Sequence, residues 1–163
     1  MEFQQIGILR TPFTEPTDMP IQPSSARGAI GRIEIDPAWE AALQDLDGFS
    51  HIIVLYHFHR APSPRLMVTP FLDDSPHGLF ATRAPCRPNP IGLSVLRLCR
   101  IDGVTVEVVD ADMLDGSPVL DIKPYVPEFD QPSGPVRCGW LDKGMDEIAV
   151  ARSDDRFADS NND

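Results

Sequence analysis

The chain has no long hydrophobic run. Its longest unbroken aliphatic stretch covers residues 52–55, far short of the roughly 18 apolar residues of a membrane-spanning helix. The first residues, M-E-F-Q-Q, contain no basic stretch, apolar core or small-residue cleavage site of the kind found in a signal peptide. We therefore expect a cytoplasmic protein with no membrane segment.

Cysteine is also scarce. Cys86, Cys99 and Cys138 are odd in number and widely spaced, which fits neither a disulfide framework nor paired zinc ligands. The sequence further lacks a G-x-G-x-x-G loop after a strand, a P-loop, a G-x-S-x-G elbow and an H-E-x-x-H pair. The common patterns for nucleotide, acyl and metal chemistry are therefore missing, and we expect reduced thiols.

Proline, in contrast, is abundant. Its 17 occurrences in 163 residues are about twice the usual frequency of roughly 5%, and proline breaks long helices, so a helical bundle is excluded. Apolar alternation and short aliphatic runs predict strands instead, and residues 36–46 predict one short helix with Asp36 as N-cap and proline at its first position. The predicted strands cover residues 3–10, 28–35, 49–58, 66–68, 79–82, 92–100, 104–109, 119–123 and 136–141. The I-D-G sequence at residues 101–103 predicts a hairpin turn before the alternating strand at 104–109.

Many short strands and one helix favour an all-β sandwich or a barrel, and we predict a β-barrel. The strand at residues 49–58 has no polar face and is expected to be buried on both sides in the middle of the sheet. The alternative is an α+β fold in which the helix beside Trp39 covers one face of an open sheet. One domain over residues 1–141 and an acidic, solvated C-terminal tail over residues 142–163 account for the whole chain.

Charge is unevenly distributed. The net charge is −11, which argues against a nucleic-acid partner because phosphates are contacted by Lys and Arg. Residues 51–100, however, contain six arginines, two aspartates and no lysine or glutamate, so this segment carries +4. All four histidines lie there as well.

The loop that follows Phe80 combines rigidity with cationic donors. Pro85, Pro88 and Pro90 stiffen it, while Arg83 and Arg87 present planar guanidinium groups four residues apart. Such a loop is suited to binding a carboxylate or phosphate with little loss of entropy. Pairing of these arginines with aspartates inside the protein is an equally weighted alternative.

Four aspartates form a second polar segment, at positions 110, 112, 115 and 121. Carboxylates after a strand can bind a cation or ribose hydroxyls, or accept a proton. Asp115 precedes glycine, so turn stabilisation explains it equally well. His57 and His59 allow a metal site with Asp73 or His77, but nothing else has ligand spacing and we expect no metal. Cys86 lies between two arginines that favour its thiolate, yet a lone loop cysteine is more often incidental.

Several of these segments together resemble a known family. The strings R-A-P-C-R-P-N-P-I-G-L-S from Arg83 and D-M-L-D-G-S-P-V-L-D-I-K-P-Y from Asp112 are similar to the TsaA-like domain of the TrmO family, as are I-L-R-T-P-F, P-I-Q and G-F-S-H nearer the start. The resemblance extends over residues 3–127. It implies an all-β, single-sheeted β-barrel that dimerises, S-adenosyl-L-methionine as cofactor, and methylation of N6 of a threonylcarbamoyl-adenosine in the tRNA anticodon loop.

The resemblance also implies where the cofactor binds. By position, the implied contacts are Pro20, Ile21, Gln22, His59, Arg60, Arg83, Leu93, Val109, Asp110, Ala111 and Asp112.

Other roles are hypotheses from residue type. Asp115 or Asp121 would act as the base that removes the N6 proton, whose acidity a carbamoyl substituent increases. Arg87, Asn89 and Lys123 would hold the substrate's carboxylate or phosphates, with Tyr125 as a stacking or hydrogen-bonding partner. A cofactor-binding protein that methylates another acceptor, or a regulatory module without catalysis, is the alternative function.

Overall fold

Six strands of this chain close into an antiparallel barrel. The computed structural model describes residues 2–17, 19–21, 26–143 and 152–157. Around the barrel the order is β1-β2-β7-β6-β3-β8, and β8 pairs with β1 to close it, while β4 and β5 form a separate two-stranded hairpin. The eight strands are β1 (Gly7–Arg10), β2 (Ile30–Ile35), β3 (His51–His57), β4 (Met67–Val68), β5 (His77–Gly78), β6 (Ile91–Asp102), β7 (Thr105–Val109) and β8 (Pro118–Pro124).

Helical structure in the described residues is short. A single-turn α-helix spans Pro127–Asp130, and 3₁₀ turns span Pro37–Leu43, Leu46–Gly48, Leu79–Ala81, Gly139–Lys143 and Asp155–Phe157. None of these helices is long and apolar enough to cross a bilayer. The predicted all-β barrel is therefore confirmed.

Alternate side chains of the barrel strands point inward and fill the core. The fully buried residues come from every barrel strand and from the segment after β7: Leu9, Ile33, Ile52, Val54, Leu96, Val106, Val108, Ala111, Met113 and Val119. The hairpin between β6 and β7 turns at Gly103, whose φ of +55° suits glycine. This confirms the turn predicted from the I-D-G sequence there.

Strand β3 alternates rather than being buried on both sides. Ile52, Val54 and Tyr56 are buried inside the barrel, whereas Ile53 and Leu55 are half-exposed on the outside. The prediction of two buried faces was wrong because a barrel strand has one inner and one outer face. Its central position is confirmed, since β3 pairs with both β6 and β8.

The predicted helix at residues 36–46 forms as 3₁₀ turns. The Asp36 side chain accepts a hydrogen bond from the Ala38 amide at 2.9 Å, and proline follows the cap as expected. The turn has no buried residue and is followed by Asp45 in a left-handed conformation, φ 66°. With only Leu43 and Leu46 packed against the core, there is no continuous apolar stripe to stabilise a longer α-helix.

Two predicted strands are absent from the described structure. Residues 79–82 form a 3₁₀ turn closed by Thr82, whose amide and hydroxyl both donate to the Leu79 carbonyl. Residues 136–138 have no regular structure and precede the turn Gly139–Lys143. Short apolar runs at these places pack or stay exposed without a neighbouring strand to pair with.

A second, smaller apolar cluster lies outside the barrel. It contains Val68, Leu79, Ala84, Cys86 and Phe157, with Phe71 packed against it. Cys86 is completely buried there, so its place in the fold is that of a small core residue. Phe157 belongs to the C-terminal segment predicted to be solvated, yet it is buried in this cluster, whereas Arg152, Asp154 and Asp155 are exposed.

Candidate functional site at one end of the barrel

The segment that follows β7 folds across one end of the barrel, where several of the predicted site residues meet. The amides of Ala111, Asp115 and Gly116 donate to the carbonyls of residues 29, 13 and 9 at 3.2, 2.7 and 2.9 Å. Asp110 adopts φ 68° and accepts a hydrogen bond from the Gly28 amide at 2.8 Å. These bonds fix the aspartate-rich segment to the ends of β1 and β2, so its carboxylates have defined positions.

Asp112 belongs to a buried polar chain inside this end of the barrel. The Ser94 hydroxyl donates to its Oδ1 at 2.8 Å and lies 3.4 Å from the Tyr56 hydroxyl. Burial raises the pKa of Asp112 to about 6, a shift that the Ser94 hydrogen bond and the charge of Arg83 oppose. Burial also raises the pKa of Tyr56, with the Asp112 charge adding to the effect. The site thus contains a carboxylate that changes charge close to neutral pH.

His59 and Asp115 lie on the same side of the site. His59 Nδ1 is 3.4 Å from the Ser117 hydroxyl. Burial lowers the pKa of His59, as do its neighbours His57 and Arg60, whereas Asp115 acts in the opposite direction. Asp115 accepts the Thr11 amide at 3.0 Å through Oδ1, and its Oδ2 is 3.9 Å from an Arg10 nitrogen. Asp115 therefore holds a turn, as its position before glycine indicated, and its charge acts on the imidazole.

Arg60 connects this group to the loop that carries Pro20 and Ile21. Its guanidinium donates to the Thr14 carbonyl at 3.0 Å and to Glu15 Oε2 at 3.2 Å. Pro20 is buried and pairs with Arg152 in an isolated antiparallel bridge. Gln22, the third residue of the implied contact, lies outside the described residues.

In the loop that follows Phe80, called the arginine loop below, Arg83 and Arg87 make different contacts. The Arg83 charge acts on both Asp112 and Tyr56, which places Arg83 beside the buried chain. Arg87 donates to the carbonyls of residues 82 and 84 at 2.9 and 3.3 Å, so it also stabilises the loop. Its guanidinium carbon lies 5.7 Å from the ring centroid of Phe80. Asn89 is exposed just before β6.

The other implied cofactor residues flank this network. Leu93, next to Ser94 on β6, is on the outer face and 51% exposed. Val109 ends β7 opposite Arg97, and Asp110 lies 3.5 Å from an Arg97 nitrogen. Ala111 is completely buried.

Three predicted residues lie elsewhere on the barrel. Asp121 and Lys123 form an ion pair of 2.6 Å on β8, opposite Leu55 and Ile53. Tyr125 packs its ring edge against His51, at the other end of β3 from His57. Six residue steps at about 3.3 Å separate the two ends of that strand by about 20 Å. Tyr125 therefore lies at the end of the barrel opposite to Asp112 and Asp115, whereas Lys123 and Asp121 lie on the barrel wall at the level of Ile53 and Leu55.

The described residues contain no group of three or more His, Cys, Asp or Glu side chains arranged to hold a metal ion. His77 instead binds Asp73 at 3.0 Å and stacks on Trp140 with ring centroids 4.6 Å apart.

Three residues of this region were not found by sequence reasoning. Tyr56 and Ser94 lie on β3 and β6, and their link to Asp112 depends on the barrel register. Phe80 was interpreted as part of a strand, yet it is 82% exposed beside Arg87. The sequence alone could have indicated an exposed aromatic side chain near an arginine only if residues 79–82 had not been assigned to a strand.

Comparison with known proteins gives this arrangement a family. The sequence profile of the tRNA-methyltransferase O N-terminal domain matches residues 8–131. The chain belongs to the TrmO family. That match includes the barrel, the arginine loop and the aspartate-rich segment.

Individual TrmO relatives agree with this assignment. A probable S-adenosyl-L-methionine-binding protein of Pyrococcus abyssi is 51% identical over 95% of this chain and 84% of its own length. The tRNA (adenine(37)-N6)-methyltransferase of Escherichia coli is 35% identical over 77% of this chain, which spans 58% of that enzyme. A crystal structure of TrmO from Pseudomonas aeruginosa superposes with a TM-score of 0.72 at 38% identity, over 87% of this chain and 63% of the other.

Proposed function

We propose that this chain is an S-adenosyl-L-methionine-dependent tRNA methyltransferase whose cofactor binds at the end of the barrel occupied by Asp112. The observation that carries the proposal is that one barrel end brings together Asp112, Arg83 and His59, three residues that the family resemblance implies in cofactor binding. The acceptor we propose is N6 of threonylcarbamoyl-adenosine at position 37 of the tRNA anticodon loop. We expect such an enzyme to work in the cytoplasm.

The residues present suit this cofactor. S-adenosyl-L-methionine supplies an activated methyl group on a sulfonium and also carries an ammonium and a carboxylate. The buried carboxylate of Asp112 complements a cation, while the guanidinium groups of Arg60 and Arg83 complement a carboxylate. Leu93 offers exposed apolar surface, while the fully buried Ala111 packs beneath the proposed site. Pro20, Ile21 and Gln22, with Val109 and Asp110, complete the proposed contacts.

We propose Asp115 rather than Asp121 as the proton acceptor. Asp115 lies at the same barrel end as His59, and its charge acts on that imidazole. The Thr11 amide fixes one of its oxygens, which orients the carboxylate for a single direction of approach. Asp121 is on the outer wall in an ion pair with Lys123, where its charge is already compensated.

The RNA contacts we propose surround the arginine loop. Arg87 and Asn89 would bind phosphate or the carboxylate of the modified base, and Phe80 offers an aromatic face to an unstacked base. Lys123 and Tyr125 remain candidates for contacts farther along the anticodon stem-loop, since Lys123 lies on the barrel wall opposite Ile53 and Tyr125 at the other end of β3.

We also propose a homodimer. The outer faces of β3 and β6 bring Ile53 opposite Val95 and Leu55 opposite Leu93, so neighbouring apolar side chains lie on the outside of the barrel. Contiguous exposed apolar surface is typical of protein interfaces. Light scattering after size exclusion would give twice the mass of 18.0 kDa if the dimer forms.

The function is tested by nucleoside mass spectrometry. Threonylcarbamoylated tRNA is incubated with the purified chain and S-adenosyl-L-methionine, and cofactor binding is measured calorimetrically on the same preparation. A gain of one methyl on the modified adenosine supports the enzyme and its acceptor together. Binding without methylation would reject tRNA as the acceptor for this chain, and absence of binding would reject the whole proposal.

A second candidate is a cofactor-binding protein that methylates a different acceptor or none. The net charge of −11 favours it, because a polyanion partner is repelled by an acidic surface. The same experiment separates the two candidates, since only the first yields a methylated nucleoside.

A further inference from the structure

The C-terminal residues 152–157 contact two separate loops of the molecule. Near Pro20 they pair with the first loop, residues 16–20, through the bridge between Pro20 and Arg152. Near Phe71 they pack on the second loop, residues 68–71. Neither loop is part of the barrel sheet.

Ser153 makes the contacts to the first loop. Its hydroxyl accepts the Met19 amide at 2.7 Å and donates to the Pro16 carbonyl at 2.7 Å. Its own amide donates to the Met19 carbonyl at 2.9 Å. Ser153 therefore holds the loop at Pro16 and Met19 through its hydroxyl and its amide, next to the bridge between Pro20 and Arg152.

Arg156 and Phe157 make the contacts to the second loop. Arg156 donates to the Pro70 carbonyl at 2.7 Å, and its guanidinium carbon lies 5.2 Å from the Phe71 ring centroid. Asp154 pairs with the same guanidinium at 2.7 Å and orients it. Phe157 is buried with its ring centroid 5.1 Å from that of Phe71.

The apolar cluster extends these contacts to the arginine loop. Phe157 shares its cluster with Ala84 and Cys86, and Ala84 directly follows Arg83. Packing transmits displacement because protein interiors are close-packed. Residues 152–157 therefore couple the loop before Pro20 to the backbone beside Arg83.

We propose that residues 152–157 act as a clamp that holds these two loops in the arrangement required for cofactor binding, with Ser153 as the positioning residue for residues 16–20. The inference rests on the proposed function, which places Pro20, Ile21 and Arg83 in contact with S-adenosyl-L-methionine. Without the clamp the loop before Pro20 samples many conformations, and the fraction that can bind falls, which lowers the apparent affinity by the same factor.

The test compares Ser153→Ala, which loses the hydroxyl, with Ser153→Thr, which keeps it. Asp155→Ala is the matched control, because Asp155 is exposed in the same segment. Calorimetry measures the S-adenosyl-L-methionine Kd, and hydrogen exchange of the cofactor-free protein measures the protection of the Met19 amide. Steady-state kinetics with tRNA separate KM from kcat.

We expect Ser153→Ala to raise the cofactor Kd and KM about 5- to 10-fold, the effect of losing buried hydrogen bonds. The Met19 amide exchanges faster in this variant, while kcat at saturating cofactor and the KM for tRNA stay unchanged. Ser153→Thr restores both affinity and protection, and Asp155→Ala behaves as wild type. A general loss of stability would not produce this division between cofactor KM and kcat.

Linkage supplies a second measurement on the unmodified protein. If the clamp favours cofactor binding, the cofactor must stabilise the clamp by the same free energy. Saturating S-adenosyl-L-methionine should therefore slow hydrogen exchange of residues 152–157 in the wild type and have less effect in Ser153→Ala.

The outcomes separate the two proposals. A wild-type chain that binds no S-adenosyl-L-methionine overturns the proposed function, and the role of the clamp with it. If the wild-type chain binds S-adenosyl-L-methionine, and Ser153→Ala has the same cofactor affinity and the same Met19 amide protection, the clamp alone is overturned.

Discussion

Asp115 and Asp121 have the same carboxylate in different surroundings. Asp115 is fixed by the Thr11 amide, its charge acts on His59, and Arg10 is 3.9 Å away, while Asp121 on the outer wall pairs with Lys123 at 2.6 Å. Function at the residue scale is decided by such neighbours rather than by residue type. The same holds for Asp112, whose burial raises its pKa to about 6 although the Ser94 hydrogen bond opposes the shift.

Replacing the proposed base should affect turnover rather than binding. We expect Asp115→Asn to lower kcat about 100-fold or more, the usual contribution of general base catalysis, because the amide cannot accept the proton. Asparagine still offers an oxygen to the Thr11 amide, so the turn is retained and the cofactor Kd changes little. Asp121→Asn is the control and should keep wild-type kcat. Equal losses in the two variants would contradict the assignment.

Cofactor affinity should weaken in acid. Because burial raises the pKa of Asp112 to about 6, its carboxylate is charged above that pH and becomes neutral below it. A neutral group no longer attracts a sulfonium or ammonium, so at pH 5 we expect about 10-fold weaker binding than at pH 8. Calorimetry across this range measures the effect. In Asp112→Asn the pH dependence should be largely lost; an unchanged profile would assign it to another group, such as His59.

The same shift predicts the effect of pH on folding through Asp112. Its folded-state pKa lies above the unfolded value near 4. The carboxyl therefore contributes stability that is fully present below that unfolded value and is lost as the pH rises through about 6. The ionised Asp112 thus lowers the stability of the fold, and we interpret its presence by the charge that it brings to the site.

Phe80 should contribute to RNA affinity alone. Its ring is 82% exposed beside Arg87, and stacking of a base on an aromatic ring contributes about 1–3 kcal/mol. Phe80→Ala should therefore raise the KM for tRNA about 10-fold or more and leave the cofactor Kd unchanged. Phe80→Tyr keeps an aromatic face and should retain wild-type KM. A tRNA KM insensitive to both substitutions would remove Phe80 from the RNA contact.

The parts of the site differ in how far sequence could predict them. Arg83 and Arg87 are close together in the sequence, and so are the aspartates, so spacing along the chain predicts that each of these two groups lies in one loop region. The hydrogen-bonded series of side chains from Tyr56 through Ser94 to Asp112 could not be predicted in this way. It joins residues that are 38 and 18 positions apart, and it depends on the register of β3 against β6. Register is a property of the closed sheet.

Within the elements, β6 contains a position that only glycine can occupy. Gly92 lies opposite Tyr56 in the register, and a Cβ there would lie 2.3 Å from the Tyr56 ring. The ring packs directly over the glycine backbone, which lets the tyrosine hydroxyl reach Ser94. The glycine of the P-N-P-I-G string is therefore needed for close packing and not for a turn.

Substitution at Gly92 should destabilise the barrel. Gly92→Ala forces the Tyr56 ring to move within a packed core, and overpacking of this kind costs about 1–3 kcal/mol. Thermal or denaturant unfolding measures the loss. Gly78→Ala is the matched control, because no atom lies within 4 Å of its Cβ position and no positive φ restrains it; it should unfold like wild type. Equal stability of the two variants would show that Tyr56 can leave its position freely.

Strands could be predicted where the apolar alternation was long and a neighbouring strand was present to pair with, and less well elsewhere. The apolar alternation in residues 104–109 and the turn at Gly103 predicted a hairpin that the structure contains. Residues 79–82 and 136–141 have similar composition but no neighbouring strand to pair with, so they form turns or irregular chain. Pairing partners are supplied by the tertiary fold, and local sequence cannot encode them.

At the scale of the whole molecule, the barrel followed from the number of short strands and the shortage of helix. The packing of residues 152–157 did not follow, because an acidic, weakly apolar segment usually stays in solvent. Phe157 and Ser153 overcome that tendency by joining an apolar cluster and a loop that lie far away along the chain. Composition describes the average of such a segment and misses two residues with specific partners.

The distribution of charge predicts how RNA binding responds to salt. Among the arginines of residues 51–100, Arg60, Arg97 and Arg100 pair with carboxylates. In the described part of the chain, Arg65 and Arg87 have no carboxylate within 4.0 Å. A tRNA therefore meets few uncompensated cations, despite the +4 of this segment.

Two phosphate contacts per protomer give a slope of about −1.4 for log K against log salt on single-stranded RNA, and about −3 if both protomers of a dimer bind one tRNA. Affinity for an anticodon stem-loop should thus fall about sevenfold from 50 to 200 mM salt in the first case, measured by fluorescence anisotropy. Arg65→Gln should reduce the slope by about 0.7 per protomer. A slope steeper than about −5 would require more phosphate contacts than this surface offers, and would show that RNA binds through cations elsewhere.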